Sequence, residues 1–134
     1  MSLVSFRAAL ETALAAMLPA LATAWENVSF TPPSPAVAYQ AAYLLPAPPD
    51  NLEYGKAHFE QAIFQVSLFY PLQDGSGAAA ARAEMLRTLF HRGASFTSSG
   101  VTVTVDKTPE VSQGTVDGDR WFLPVKVRVS AYIP

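Results

Sequence analysis

Apolar and polar residues alternate along two long stretches of this chain. Between Phe59 and Tyr70, Ala62, Phe64, Val66, Leu68 and Tyr70 hold the even positions, while Gln61, Gln65 and Ser67 lie on the odd side. Between Arg120 and Ile133, Trp121, Leu123, Val125, Val127, Val129 and Ala131 alternate with Phe122, Pro124, Lys126, Arg128, Ser130 and Tyr132. A period of two sends such sets to opposite faces of a sheet, so both stretches are predicted strands. Val101 to Val105 is a shorter strand, with valines on one face and threonines on the other. Ala36 to Leu45 makes a fourth, with Val37, Tyr39 and Ala41 set against Ala38, Gln40 and Ala42. Pro124 has no N–H to give a neighbouring strand, which places its end of the last strand at an edge or a bulge.

Two stretches carry a helical period instead. Phe6, Leu10, Leu14, Met17 and Leu21 form one stripe, predicting a helix capped by Ser2 or Ser5 and running to about Leu18, where Pro19 stops or kinks it. Ala20 to Ala24 reads as one more turn, with Trp25 a half-buried anchor at its end. The stripe favours a packed helix over a signal peptide, although Thr12 to Ala24 is free of charge. Asp74 to Gly77 reads as a turn, and Ala78 to Phe90 as the second helix. Its inward side is Ala79, Ala83, Leu86, Leu89 and Phe90, its outward side includes Arg82, Glu84, Arg87, Thr88 and His91, and Gly93 terminates it. Glu84 and Arg87 are spaced to pair.

The remaining segments read as connections. Val28 to Phe30 is a short extended piece. Thr31 to Pro35 is a stiff polyproline-like connector rather than a ligand for a proline-binding groove. Pro46 to Gly55 shows neither period and is predicted to be a long exposed hairpin loop. Phe96 to Gly100 turns the chain, Thr108-Pro109 breaks it, and Asp117-Gly118 marks a turn before the last strand. The element order is α-β-β-α-β-β. It predicts one domain over residues 1–134 with an α+β fold: a mixed or antiparallel sheet of about four main strands, and two helices packed on one face.

Composition narrows the chemistry. With 134 residues, half of them hydrophobic and 15% charged, the chain has material for a real core. A net charge of −2 gives no bulk attraction to nucleic acid or an anionic membrane. Nothing reaches the length of a membrane span. There is no cysteine, hence no disulfide, thiolate ligand or cysteine nucleophile. His58 and His91 have no carboxylate or second histidine at ligand spacing, and both read as solvated surface. Asp117-Gly118-Asp119 lacks the other positions of a calcium loop. Asp74 to Gly77 lacks the lysine and spacing of a phosphate loop. The acidic residues are scattered and the nine Lys and Arg form no aromatic-basic motif. No catalytic, cofactor or metal residue is therefore assigned.

What remains is the outer sheet face: Gln61, Gln65 and Ser67 with Phe122, Lys126, Arg128 and Tyr132. It reads either as a solvated face or as an assembly surface, polar with aromatic anchors.

The arrangement of elements resembles the tail terminator, or tail-completion (minor tail), proteins of long-tailed bacteriophages and prophages. The features that carry the resemblance are the N-terminal helix ending near Trp25-Glu26, the proline-rich connector, and two strands split by a long segment. An alanine-rich helix and a final strand closing on Val127-Arg-Val-Ser-Ala-Tyr132 complete it. The resemblance implies a structural subunit without enzymatic activity or cofactor. It implies a hexameric ring on the tail tube that stops growth and faces the head connector, in the virion tail and, during assembly, the host cytoplasm. Its partners would be itself, the tail tube and the connector. On that expectation Phe122, Lys126, Arg128, Tyr132, Gln61, Gln65, Pro48 and Asn51 are candidate interface residues. The competing reading is a small soluble ligand- or protein-binding module.

Overall fold

The computed structural model describes residues 2–134 except Asp74. The side chain of Ser2, a candidate cap, and the Asp74 of the predicted turn lie outside the described residues. Helix α1 spans Ser2–Ala15, and eight strands and a second helix follow it among the described residues. The strands are β1 (Ala22–Trp25), β2 (Tyr39–Asp50), β3 (His58–Pro71), β4 (Ser95–Ser98), β5 (Val101–Val105), β6 (Glu110–Val111), β7 (Thr115–Asp117) and β8 (Arg120–Ile133). Helix α2, Gly77–Leu89, separates β3 from β4. The class is α+β as expected, but with eight strands in one mixed sheet rather than about four main ones.

The sheet path is β1-β2-β3-β8-β5-β4, with β6 and β7 also pairing β8. Among the described residues only β1 and β2 run parallel. The two clearest sequence patterns, β3 and β8, lie side by side at the centre, antiparallel from His58↔Ile133 to Pro71↔Arg120. Their register places Leu68 by Leu123, Val66 by Val125, Phe64 by Val127 and Ala62 by Val129. All eight side chains are buried. Over this inner face lie Phe6, Leu10 and Leu14 of α1 with Ala79, Ala83 and Leu86 of α2. Fully burying one such large apolar side chain stabilises the fold by roughly 1.5–3 kcal/mol. Phe90 closes the layer, 5.8 Å from Phe64 and 5.3 Å from Phe96 between ring centres. Both helices thus cover one face of the sheet.

Several expectations are corrected. Helix α1 ends at Ala15 rather than Leu18: Met17 N–H already bonds back three residues to the Leu14 carbonyl at 3.1 Å, and Leu18, before Pro19, is kept out of the helical region. Ser5 lies inside α1 and is no cap. Ala22–Trp25 is a strand, not a helical turn: pairing with β2, supported by Gln40 Nε2 donating to Thr23 Oγ1 at 3.0 Å, overrides the alanine content. Trp25, partly buried against the core, anchors that strand. The first main strand starts at Tyr39, not Ala36, and runs on through Pro46 to Asp50. Phe96 belongs to β4, and the turn itself is Ser99-Gly100, both at positive φ as a tight two-residue hairpin turn requires. Pro124 sits in a central strand. Its carbonyl accepts from Ser112 N–H on the side where β6 and β7 part company, so the missing donor faces a gap between them.

Arg82 is the largest departure within a helix. It is 97% buried, not outward. Its Nη1 donates to the Pro19 carbonyl, pinning the connector after α1 onto α2. Burial pushes the guanidinium pKa down, and the nearby Tyr70 only partly opposes this. Arg87 donates to the Pro109 carbonyl at 3.0 Å rather than pairing with Glu84.

Candidate functional site

The face of the sheet turned away from the helices is built by the odd positions of β2 and β3 and the even positions of β8. Register sets its rows. Tyr43, Gln65 and Lys126 form one row across the three strands, and Leu45, Ile63 and Arg128 form the next. Ala47, Gln61 and Ser130 follow. Tyr43, Leu45 and Arg128 are exposed, Ile63, Gln65 and Lys126 half-buried. The centre of the face is therefore an apolar strip flanked by two cations and two amides. Glu110 pairs in register with Lys126, and its carboxylate lies 3.4 Å from Arg128 Nε. Gln65 Nε2 donates to Ser67 Oγ at 3.0 Å, and Ser130 Oγ to Asp106 Oδ1 at 2.8 Å.

Aromatic groups hold both ends. At one end Phe30, Tyr39, Phe69 and Phe122 run as a continuous row, with Tyr39 and Phe69 stacked at 4.7 Å and 10°. Arg120, 5% exposed, packs 4.6 Å from the Tyr39 ring centre. Its Nη1 donates to the Val37 carbonyl at 2.6 Å, and its Nη2 to those of Pro33 and Ser34 at 2.5 and 3.0 Å. These proline-connector carbonyls have no ladder partner, and a guanidinium fork satisfies three of them at once. Burial raises the Tyr39 pKa; the Arg120 charge opposes this without reversing it. At the other end Phe59 meets Tyr132 edge-on at 5.3 Å. The Tyr132 hydroxyl donates to Glu53 Oε1 at 3.5 Å, holding the β2–β3 turn near the face.

The candidate residues separate into three groups. Lys126, Arg128, Gln61 and Gln65 come together at the centre of this face. Phe122 and Tyr132 belong to its two aromatic ends. Pro48 lies in β2, not in a loop, beyond the end of β1's pairing, and Asn51 lies in the exposed turn that follows. Tyr39, Tyr43, Leu45, Phe59, Ile63 and Phe69 were missed. The last three stand at odd positions of β3, Ile63 between the two glutamines and Phe59 and Phe69 to either side of them, so the signal was present in the alternation itself.

The histidines add little to this surface. His58 does have a carboxylate neighbour: Glu60 shares its face of β3 at the two-residue period and sits 3.0 Å away. The Lys56 carbonyl and then Glu60 hold the His58 pKa above the usual histidine value. His91 faces the Arg92 carbonyl at 3.1 Å. Among the described residues no group of three or more His, Asp or Glu side chains is placed to hold a metal ion, and no helix is long and apolar enough to cross a membrane. Asp117 ends β7, and Gly118-Asp119 is a two-residue hairpin turn with Gly118 at φ 60°.

An uncovered sheet face with apolar, cationic and amide groups in register is suited to protein contact. Residues 5–129 match the phage tail terminator protein family. The chain belongs to that family. No curated protein matches it. A solved structure whose name describes no role is 31% identical, covering all of this chain and 98% of that one, with a TM-score of 0.82. As a tail terminator family member the chain is a phage tail structural protein, and the outer face is the first place to look for its contacts with other tail proteins.

Proposed function

We propose that this tail terminator family protein caps the tail tube as an oligomeric ring, ends tail growth and forms the surface that the head joins. Six copies is the number implied by the family resemblance. The observation that carries the reading is the uncovered face of β2, β3 and β8, where Lys126 and Arg128 flank exposed Tyr43 and Leu45. A lone subunit gains nothing from holding these apolar groups in water beside fixed cations, whereas a contact surface uses both. Ring closure needs two different patches per subunit, and this face supplies one of them.

The experiment is complementation of a phage lacking this gene. Wild-type protein is expected to give tails of one length joined to heads. Arg128→Glu changes an exposed residue and breaks only its exposed pair with Glu110, so its folding should shift by no more than about 1 kcal/mol, while head-joined particles fall at least about tenfold because charge reversal opposes the partner surface. Unchanged yield removes Arg128 from the interface. Tails of uniform length in the absence of the protein refute the capping function itself.

A further inference from the structure

Two arginines are buried against proline-containing connectors, and their donors are used unequally. Arg120 gives its Nη donors to three carbonyls. Arg82, only 3% exposed in the middle of α2, uses Nη1 alone, on the Pro19 carbonyl. Its Nε and Nη2 are buried without a hydrogen-bond partner. These two nitrogens form one edge of the guanidinium plane. Their N–H bonds run parallel, at the spacing of the two oxygens of a carboxylate.

Nothing in the subunit answers the charge. Among the described residues no Asp or Glu pairs with Arg82. Tyr70 is near enough to act on it. Burial holds the Tyr70 pKa above the usual tyrosine value, with Arg82 opposing, so at neutral pH Tyr70 is an uncharged phenol. Water satisfies an N–H but not a charge, and a cation taken out of solvent calls for an anion.

The cover beside Arg82 is thin. After Met17, which is packed in the core, Leu18 is 78% exposed, and Pro19 and Ala20 are exposed as well. A cleft of about 460 Å3 runs along this strap, between Met17 and Leu18 on one side and Met85 and Leu89 on the other. Met85 stands three residues after Arg82, so a group entering the cleft is one helical turn from the guanidinium.

We propose that the Nε–Nη2 edge of Arg82 is a carboxylate-binding site, entered beneath the strap of residues 18–20. A planar, singly charged group matches two parallel donors and one unanswered charge. The carboxylate has two sources, a free small acid or an Asp or Glu side chain of another tail protein. The second source rests on the tail-capping function; the site itself does not.

The site is tested on the isolated full chain with sodium formate against sodium chloride at equal ionic strength. Formate is expected to raise the wild-type melting temperature saturably, by about 4 °C at ten times its dissociation constant. It should also shift the Arg82 Nε–H resonance, identified by its absence from Arg82→Met. Arg82→Met protein should melt alike in both salts. Equal effects of the two salts on the wild type, with the resonance unmoved, overturn the site. Should Arg82→Met not fold, the wild-type resonance, assigned with Arg82→Lys, decides alone. Complementation then separates the sources. Loss of tail-length control by folded Arg82→Met, at least about tenfold in joined particles, supports an acidic side chain of a tail protein. Unchanged yield beside a positive formate result overturns that source and leaves a free carboxylate. Failure of the wild-type protein to control tail length refutes capping without touching the formate result.

Discussion

At the scale of the residue, two arginines do work that their sequence context does not announce. Arg82 and Arg120 are almost fully buried, and both bind backbone carbonyls of proline-containing connectors. A connector rich in proline leaves carbonyls without ladder partners, and a buried guanidinium supplies donors in a fixed fork. Arg120→Lys is therefore not conservative. A single ammonium cannot reach Pro33, Ser34 and Val37 together while lying over Tyr39. We expect Arg120→Lys to cost about 2 kcal/mol, from lost charge-assisted hydrogen bonds, with faster hydrogen exchange or proteolysis confined to residues 31–38. An unchanged exchange rate there would show that the connector holds itself. Neither arginine was legible in advance: Arg82 was assigned outward by helical period, and Arg120 was only the first residue of a strand. Both acquire their roles from carbonyls more than sixty residues away in sequence.

At the scale of the element, β2 shows why a proline-rich stretch was read as a loop. Leu44 N–H faces the free side of β2, where it meets Glu26 Oε1 at 2.5 Å. Backbone groups of alternate residues face the same side, so Pro46 and Pro48 lack a donor only where β2 has no neighbour. Pairing to β3 proceeds through Leu45↔Ile63 and Ala47↔Gln61 and shifts register before Asp50↔Phe59, accommodating Pro48 and Pro49. These prolines keep the edge closed to other strands. Pro46→Val/Pro48→Val is expected to leave the monomer folded but promote concentration-dependent association, read by light scattering from micromolar upward. A strictly monomeric double variant would show that the edge is blocked some other way. By contrast β3, β5 and β8 were legible, because each buries one face under helices and shows it as clean alternation. β1, β4, β6 and β7, of two to four residues, are too short to show a local period, although β4 and β7 pair with the strand that directly follows each. The site followed the same division. Period two placed Gln61, Gln65, Lys126 and Arg128 correctly by face, but that β3 lies beside β8 follows from topology, and only this adjacency makes the four a single surface.

At the scale of the whole molecule, the N-terminal helix ties the two edges of the sheet. It packs against β4 and β5 at one edge, while Arg7 Nη1 reaches Glu26 Oε1 at 2.9 Å beside β1 at the other. The same Glu26 oxygen accepts the Leu44 N–H, so one carboxylate links α1 to the edge of β2. Burial alone would raise the Glu26 pKa. The Leu44 amide and then Arg7 outweigh it, and the folded value lies below that of an ordinary glutamate. A carboxylate whose pKa is depressed by folding contributes stability that is present above its unfolded pKa and lost as pH falls through the folded one. The window therefore opens near the ordinary glutamate value of about 4.3 and extends downward. Glu26→Gln is expected to lower stability at pH 7 by about 1 kcal/mol, a partly exposed, hydrogen-bonded charge being worth little more. Its melting temperature should also fall less steeply than the wild type's between pH 5 and pH 3, so that the two curves converge in acid. Parallel curves over that range would show that Glu26 carries no folding-linked proton, and would leave α1 joined to the sheet by apolar packing alone.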